Sequence, residues 1–135
     1  MISVQIYSAI DIGYETSAKA SPFCVLKFNK TELGRTTPSY DNPEEPFWSD
    51  SFSVPFHKLE DKVTENQRPF FFEHLDIELY LNAEATECVG AARVKLINFQ
   101  RPEWCRLIGL SGKLQGKYCG RILVGLQGPR QESLL

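Results

Sequence analysis

The sequence predicts an all-β chain folded as an eight-stranded antiparallel β-sandwich. Eight short segments alternate apolar and polar residues with a period of two. The links between them are dense in Gly, Pro, Asn and Asp, the residues that turns require. Almost no stretch repeats its apolar residues at the helical period, which leaves a sandwich as the way to bury one face of each strand.

Ile2, Val4 and Ile6 alternate with Ser3, Gln5 and Tyr7 and define the first strand. Residues 9–20 (AIDIGYETSAKA) carry no periodicity and read as a polar loop. The stretch from Ser21 to Thr37 is the hairpin around which the rest is organised. Pro22 sets an extended entry, because its ring fixes φ and it donates nothing to a ladder. Cys24, Leu26 and Phe28 then share one face, and Phe23, Val25 and Lys27 the other. Asn29-Lys30 is a two-residue turn, since Asn tolerates the left-handed conformation that tight hairpins need.

Residues 38–46 (PSYDNPEEP) form an exposed loop. Trp48, Phe52 and Val54 share the next strand's inner face, with Asp50 at the same parity. Residues 57–68 make a charged connection, with one helical turn expected at 58–63. The clearest strand places Leu75, Ile77, Leu79 and Leu81 opposite Asp76, Glu78, Tyr80 and Asn82. A strand over 89–97, a short one at Trp104–Leu107 and a last one at 118–127 complete the set, the last burying Ile122, Val124 and Leu126. Residues 1–127 are thus expected to form one domain, and 128–135 a tail or linker that breaks at Gly128-Pro129.

A chain of 135 residues suits a single domain, and 42% apolar with 24% charged residues is an ordinary globular composition. With 15 basic against 17 acidic residues, the net charge of −2 gives no general drive toward nucleic acid. No apolar run is long enough to span a bilayer. Met1-Ile2-Ser3-Val4 lacks the basic-then-apolar pattern of a signal peptide, and neither terminus has a lipidation signature. The four cysteines, Cys24, Cys88, Cys105 and Cys119, have no metal-ligand spacing. They read as buried, reduced thiols, which implies the cytoplasm.

The order of the segments resembles a C2 domain. The matching pieces are Ile2-Ser3-Val4-Gln5-Ile6, then Ser21-Pro22-Phe23-Cys24-Val25 where the family has Asp-Pro-Tyr, Gly34-Arg35-Thr36-Thr37, and Glu45-Pro46-Phe47-Trp48-Ser49-Asp50-Ser51-Phe52. Leu75-Asp76-Ile77-Glu78-Leu79-Tyr80, Val89-Gly90 and Trp104-Cys105-Arg106-Leu107 follow in family order. The likeness covers 1–127 and is shared with novel protein kinase C, ferlin and Ras GTPase-activating protein C2 domains, without choosing among them.

Calcium-binding members of that family clamp the ion with loop carboxylates, because Ca²⁺ takes about six to eight oxygen ligands. The resemblance puts Ser21 in place of the aspartate before the proline, and Leu81 and Ala83 where paired aspartates stand. Glu15 and Glu87 are the carboxylates left near ligand positions. These degenerate positions imply a calcium-independent type with no metal or other cofactor. Asp11 reads as a solvated loop carboxylate capping nearby amides.

Lys27, Lys30 and Arg35 sit in or beside the hairpin whose outer face, in the family the chain resembles, often carries a basic groove for phosphoinositides. The plainer alternative, and the favoured one, is an ordinary solvated sheet face, with Glu32 diluting the charge. These three are the candidate lipid- or partner-binding residues. Phe70-Phe71-Phe72 is expected to lead into the next strand and pack in the sandwich, and Trp48 and Trp104 to anchor core and rim. His57 and His74 have no partner at catalytic or ligand spacing, so no enzyme is expected. The Asn29-Lys30-Thr31 sequon is explained by its turn. The expectation is a non-catalytic cytoplasmic targeting or interaction module that binds a protein partner through its loops or sheet face. The alternative is a peripheral membrane binder reading anionic phospholipid through the basic strand face. Salt-sensitive sedimentation with anionic liposomes separates the two.

Overall fold

A computed structural model describes residues 2–14, 20–28, 30–40, 44–54, 74–82, 84, 88–95 and 101–127. It contains eight strands: β1 (Ile2–Ile10), β2 (Phe23–Phe28), β3 (Thr31–Arg35), β4 (Phe47–Val54), β5 (His74–Tyr80), β6 (Gly90–Lys95), β7 (Glu103–Gly109) and β8 (Tyr118–Gln127). Every neighbour pair is antiparallel, in the order β3-β2-β5-β6-β7-β8-β1-β4. The antiparallel eight-stranded expectation holds. The helical turn at 58–63, the Phe70–Phe72 run, His57, Asn29, Glu15, Ala83, Glu87 and the 128–135 tail lie outside the described residues.

Two layers arise because β6 and β7 share only the pairs Gly90↔Gly109 and Ala91↔Ile108. That narrow joint lets β3-β2-β5-β6 fold over β7-β8-β1-β4. The period of two then aims Leu26, Leu75, Ile77 and Leu79 from one layer at Ile6, Leu107, Ile122, Val124 and Leu126 from the other, all essentially without solvent contact. Burial of each such side chain stabilises the fold by about 1.5–3 kcal/mol, an upper range for a chain whose unfolded state is itself compact. At the far edge β3 and β4 approach each other, and the Thr37 amide donates to the Asp50 carboxylate at 2.8 Å.

The first strand runs further than its alternation suggests. A register shift between Ile6 and Ser8 inserts a bulge at Tyr7, so the inward parity passes from Ile6 to Ala9. Ala9 is fully buried and Ile10 pairs with Arg121. Residues 9 and 10 therefore belong to a strand and not to the loop assigned from sequence. β2 departs in another way, because both of its faces are covered. On its outer side Phe23 stacks on Tyr80 with ring centroids 5.0 Å apart, and the Arg35 guanidinium lies 5.6 Å from the Phe23 ring. The hairpin turn is as tight as expected, with Phe28 paired to Thr31 and Lys30 at φ 68°.

The antiparallel order brings the ends of β1, β3, β5 and β7 and the starts of β2, β4, β6 and β8 to one end of the sandwich. Of the residues mapped above as calcium-loop positions, Ser21 and Leu81 are described, and both sit at this tip. A 3-10 turn at Gly112–Leu114 lies there too, between β7 and β8.

Candidate interaction site

At the tip, Ser21 and Leu81 come together, but through the backbone. The Ser21 amide donates to the Leu81 carbonyl at 3.1 Å, and Ser21 is buried while Leu81 is half-buried against the core. The next residue is equally occupied: the Pro22 carbonyl accepts from the Trp48 indole at 2.9 Å and from the Ser39 amide at 2.8 Å. Thr36 closes the ladder beside them. Its amide donates to the Cys24 carbonyl at 2.8 Å, and its hydroxyl accepts from the Cys24 amide at 2.9 Å. Asn82 accepts from the Glu84 amide at 3.1 Å, a turn-forming contact. Among the described residues no group of three or more His, Cys, Asp or Glu side chains gathers as metal ligands would.

The three basic residues of the β2–β3 hairpin are not brought into one free patch. The Lys27 ammonium pairs with Glu78 at 3.0 Å. Arg35 takes both Glu32 oxygens, at 3.0 and 2.7 Å, and this fork holds the Glu32 carboxyl below its ordinary range. Lys30 stands exposed at the turn. Sequence spacing identified Glu32 as a diluting charge, whereas Glu78 lies on another strand and is seen only once β2 and β5 are paired.

Among the described residues Asp11 accepts from no loop amide. It occupies φ 57° and accepts from the Arg121 guanidinium at 2.9 Å, across 110 residues of sequence. That guanidinium carbon also lies 5.6 Å from the Trp104 ring centroid, and Arg106 lies 5.9 Å from that of Tyr118. Trp48 is buried and Trp104 43% exposed, as core and rim anchors should be.

Burial pushes the thiols up. Cys24 and Cys119 are buried and raised above the ordinary range, while burial first and then Glu78 push Cys88 up to about 11. Burial first and then Glu103 take Cys105 to about 11 as well. All four are free thiols, and near neutral pH a protonated thiol is a poor nucleophile and metal ligand. Cys88 and Cys105 are half-buried, less enclosed than the sequence reading had them. No helix among the described residues is long and apolar enough to cross a membrane.

Neither a family model nor a curated protein matches the sequence. Solved structures do. A C2 domain-containing protein from a putative elicitor-responsive gene is 18% identical, with a TM-score of 0.65 over 96% of this chain and 91% of that one. A C2 domain of plant extended synaptotagmin 1 is 19% identical, with a TM-score of 0.63 over 93% and 90%. CC2D1B, from a structure described as coordinating ESCRT-III activity during mitotic reformation of the nuclear envelope, is 16% identical with a TM-score of 0.64; 93% of this chain matches 53% of that one. At such identities it is the architecture that is shared: the chain has the C2 β-sandwich fold.

Proposed function

We propose that this chain is a non-catalytic, calcium-independent C2-type targeting and interaction module of the cytoplasm, which binds a protein partner. The observation that carries the reading is the backbone bond between Ser21 and Leu81. Where the C2 resemblance places carboxylate ligands, this chain offers a buried serine and a half-buried leucine whose amide and carbonyl groups satisfy each other. Closing the two loops in this way supports a tip shaped without an ion, and leaves binding to be governed by surface charge and loop shape. The four free thiols support a reducing compartment. Isothermal titration of the chain with calcium chloride tests the proposal. We expect no binding heat tighter than about 100 µM, and saturable binding below that level would overturn it.

The second reading is recognition of anionic phospholipid through Lys27, Lys30 and Arg35. Exposure of Lys30 at the hairpin turn favours it. Against it stand the pairings of Lys27 with Glu78 and of Arg35 with Glu32, which a lipid phosphate would have to displace.

A further inference from the structure

The hairpin of β7 and β8 reverses the charge of the rest of the chain. Between Arg101 and Gln127 lie five of the fifteen basic residues and only one, Glu103, of the seventeen acidic ones. The same stretch carries Trp104, Ile108, Leu110 and Tyr118, four of the six large apolar or aromatic side chains exposed among the described residues. Trp, Tyr and Arg are also the residues that dominate hot spots at protein interfaces.

Register sets these side chains side by side. Trp104 pairs with Leu123, Arg106 with Arg121 and Ile108 with Tyr118, so three adjacent rows share the outer face. The middle row puts two arginines directly opposite each other, an arrangement that destabilises a sheet unless an anion bridges it. Arg121 already holds the Asp11 carboxylate at 2.9 Å. Arg106 is exposed, lies along the Tyr118 ring and has no carboxylate partner among the described residues.

We propose that this face, centred on Trp104, Arg106 and Tyr118, docks an acidic segment of a partner protein in which carboxylates alternate with apolar side chains. The proposal rests on the reading of the chain as a protein-interaction module and gives that module its surface and its partner's chemistry. The Arg106 fork would take a carboxylate two-handed, as its planar donors favour, while Trp104 and Ile108 cover the apolar neighbours. A bilayer fits the same face poorly. Each guanidinium stands close to a ring, at 5.6 and 5.9 Å, so sinking the rings into hydrocarbon would carry the charges with them.

Selection of a randomised peptide library against the full chain tests the inference. Enriched peptides should interleave Asp or Glu with apolar residues, and their binding should weaken as salt rises. It should fall by about tenfold or more in W104A and in R106E, yet persist in K30E and R35Q. R106E turns a like-charge pair into an opposite one, so it should melt no lower than the parent, which separates lost docking from lost folding. An enriched set without acidic residues, or binding that survives both W104A and R106E, overturns the proposal. Peptides lost only in K30E or R35Q would move the site to the β2–β3 hairpin and leave the protein-interaction reading intact. A selection with no enrichment, beside sedimentation with phosphatidylcholine–phosphatidylserine vesicles, would overturn both.

Discussion

Replacing Thr36 by valine removes one oxygen from the place where the β2–β3 ladder runs out. The Cys24 amide faces the β3 side, where its hydrogen-bond acceptor is the Thr36 hydroxyl at 2.9 Å. Both residues are buried. Valine keeps the shape and adds a methyl group, but leaves that buried amide without its acceptor. Stranding a buried donor costs about 1–3 kcal/mol, so a loss of about 2 kcal/mol is expected. Unfolding entropy of about 2.1 cal/mol/K per residue gives about 0.28 kcal/mol/K for this length. The melting temperature should therefore fall by about 7 °C. Thr36→Ser keeps the acceptor and loses only a methyl, which should cost about 0.8 kcal/mol. Denaturant melts of the three proteins by far-UV circular dichroism decide the matter, provided the m-values agree. If T36V matched the parent within about 0.5 kcal/mol, or if T36S were the less stable variant, the acceptor role assigned to this hydroxyl would be wrong.

Three further outcomes follow from the same structure. A thiol reagent at pH 8 should modify the native chain slowly at Cys88 and Cys105, whose burial holds them near 11, and hardly at all at Cys24 and Cys119, with all four reacting at once on denaturation; fast native labelling of any one would contradict the burial described. Burial first, and then the hydroxyl's bond to Glu78 at 3.0 Å, push Tyr80 from about 10 up to about 12. Because the folded state favours the protonated phenol, stability is complete below pH 10 and falls as pH rises toward 12, and Tyr80→Phe should flatten that slope in alkaline melts. Gly109→Ala should destabilise strongly, since a Cβ there would collide with the Leu114 carbonyl oxygen and the Tyr14 hydroxyl; an unchanged melting temperature would show that the β7–β8 loop is looser than drawn.

Local alternation was enough to place β2, β4, β5 and β8, because a strand with one buried face writes its period into adjacent residues. Ala9 and Ile10 escaped that reading, since the bulge at Tyr7 shifts the parity in mid-strand and only the pairing with β8 restores it. The hydroxyl of Thr36 and the indole of Trp48 were likewise visible as residues but not as partners of Cys24 and Pro22.

The sequence by itself determined eight alternating segments, the lack of carboxylates at positions 21 and 81, and a stretch at 101–127 rich in bases and poor in acids. Tertiary structure decided which charges are spent and which remain. Glu78 reaches Lys27 only because β5 lies beside β2, and Asp11 reaches Arg121 only because β1 lies beside β8. Alternation is a property of neighbours along the chain, whereas a salt bridge needs a few ångströms of space between residues far apart in it. For that reason the strands could be read in advance, and the face on which Arg106 has no carboxylate partner among the described residues could not.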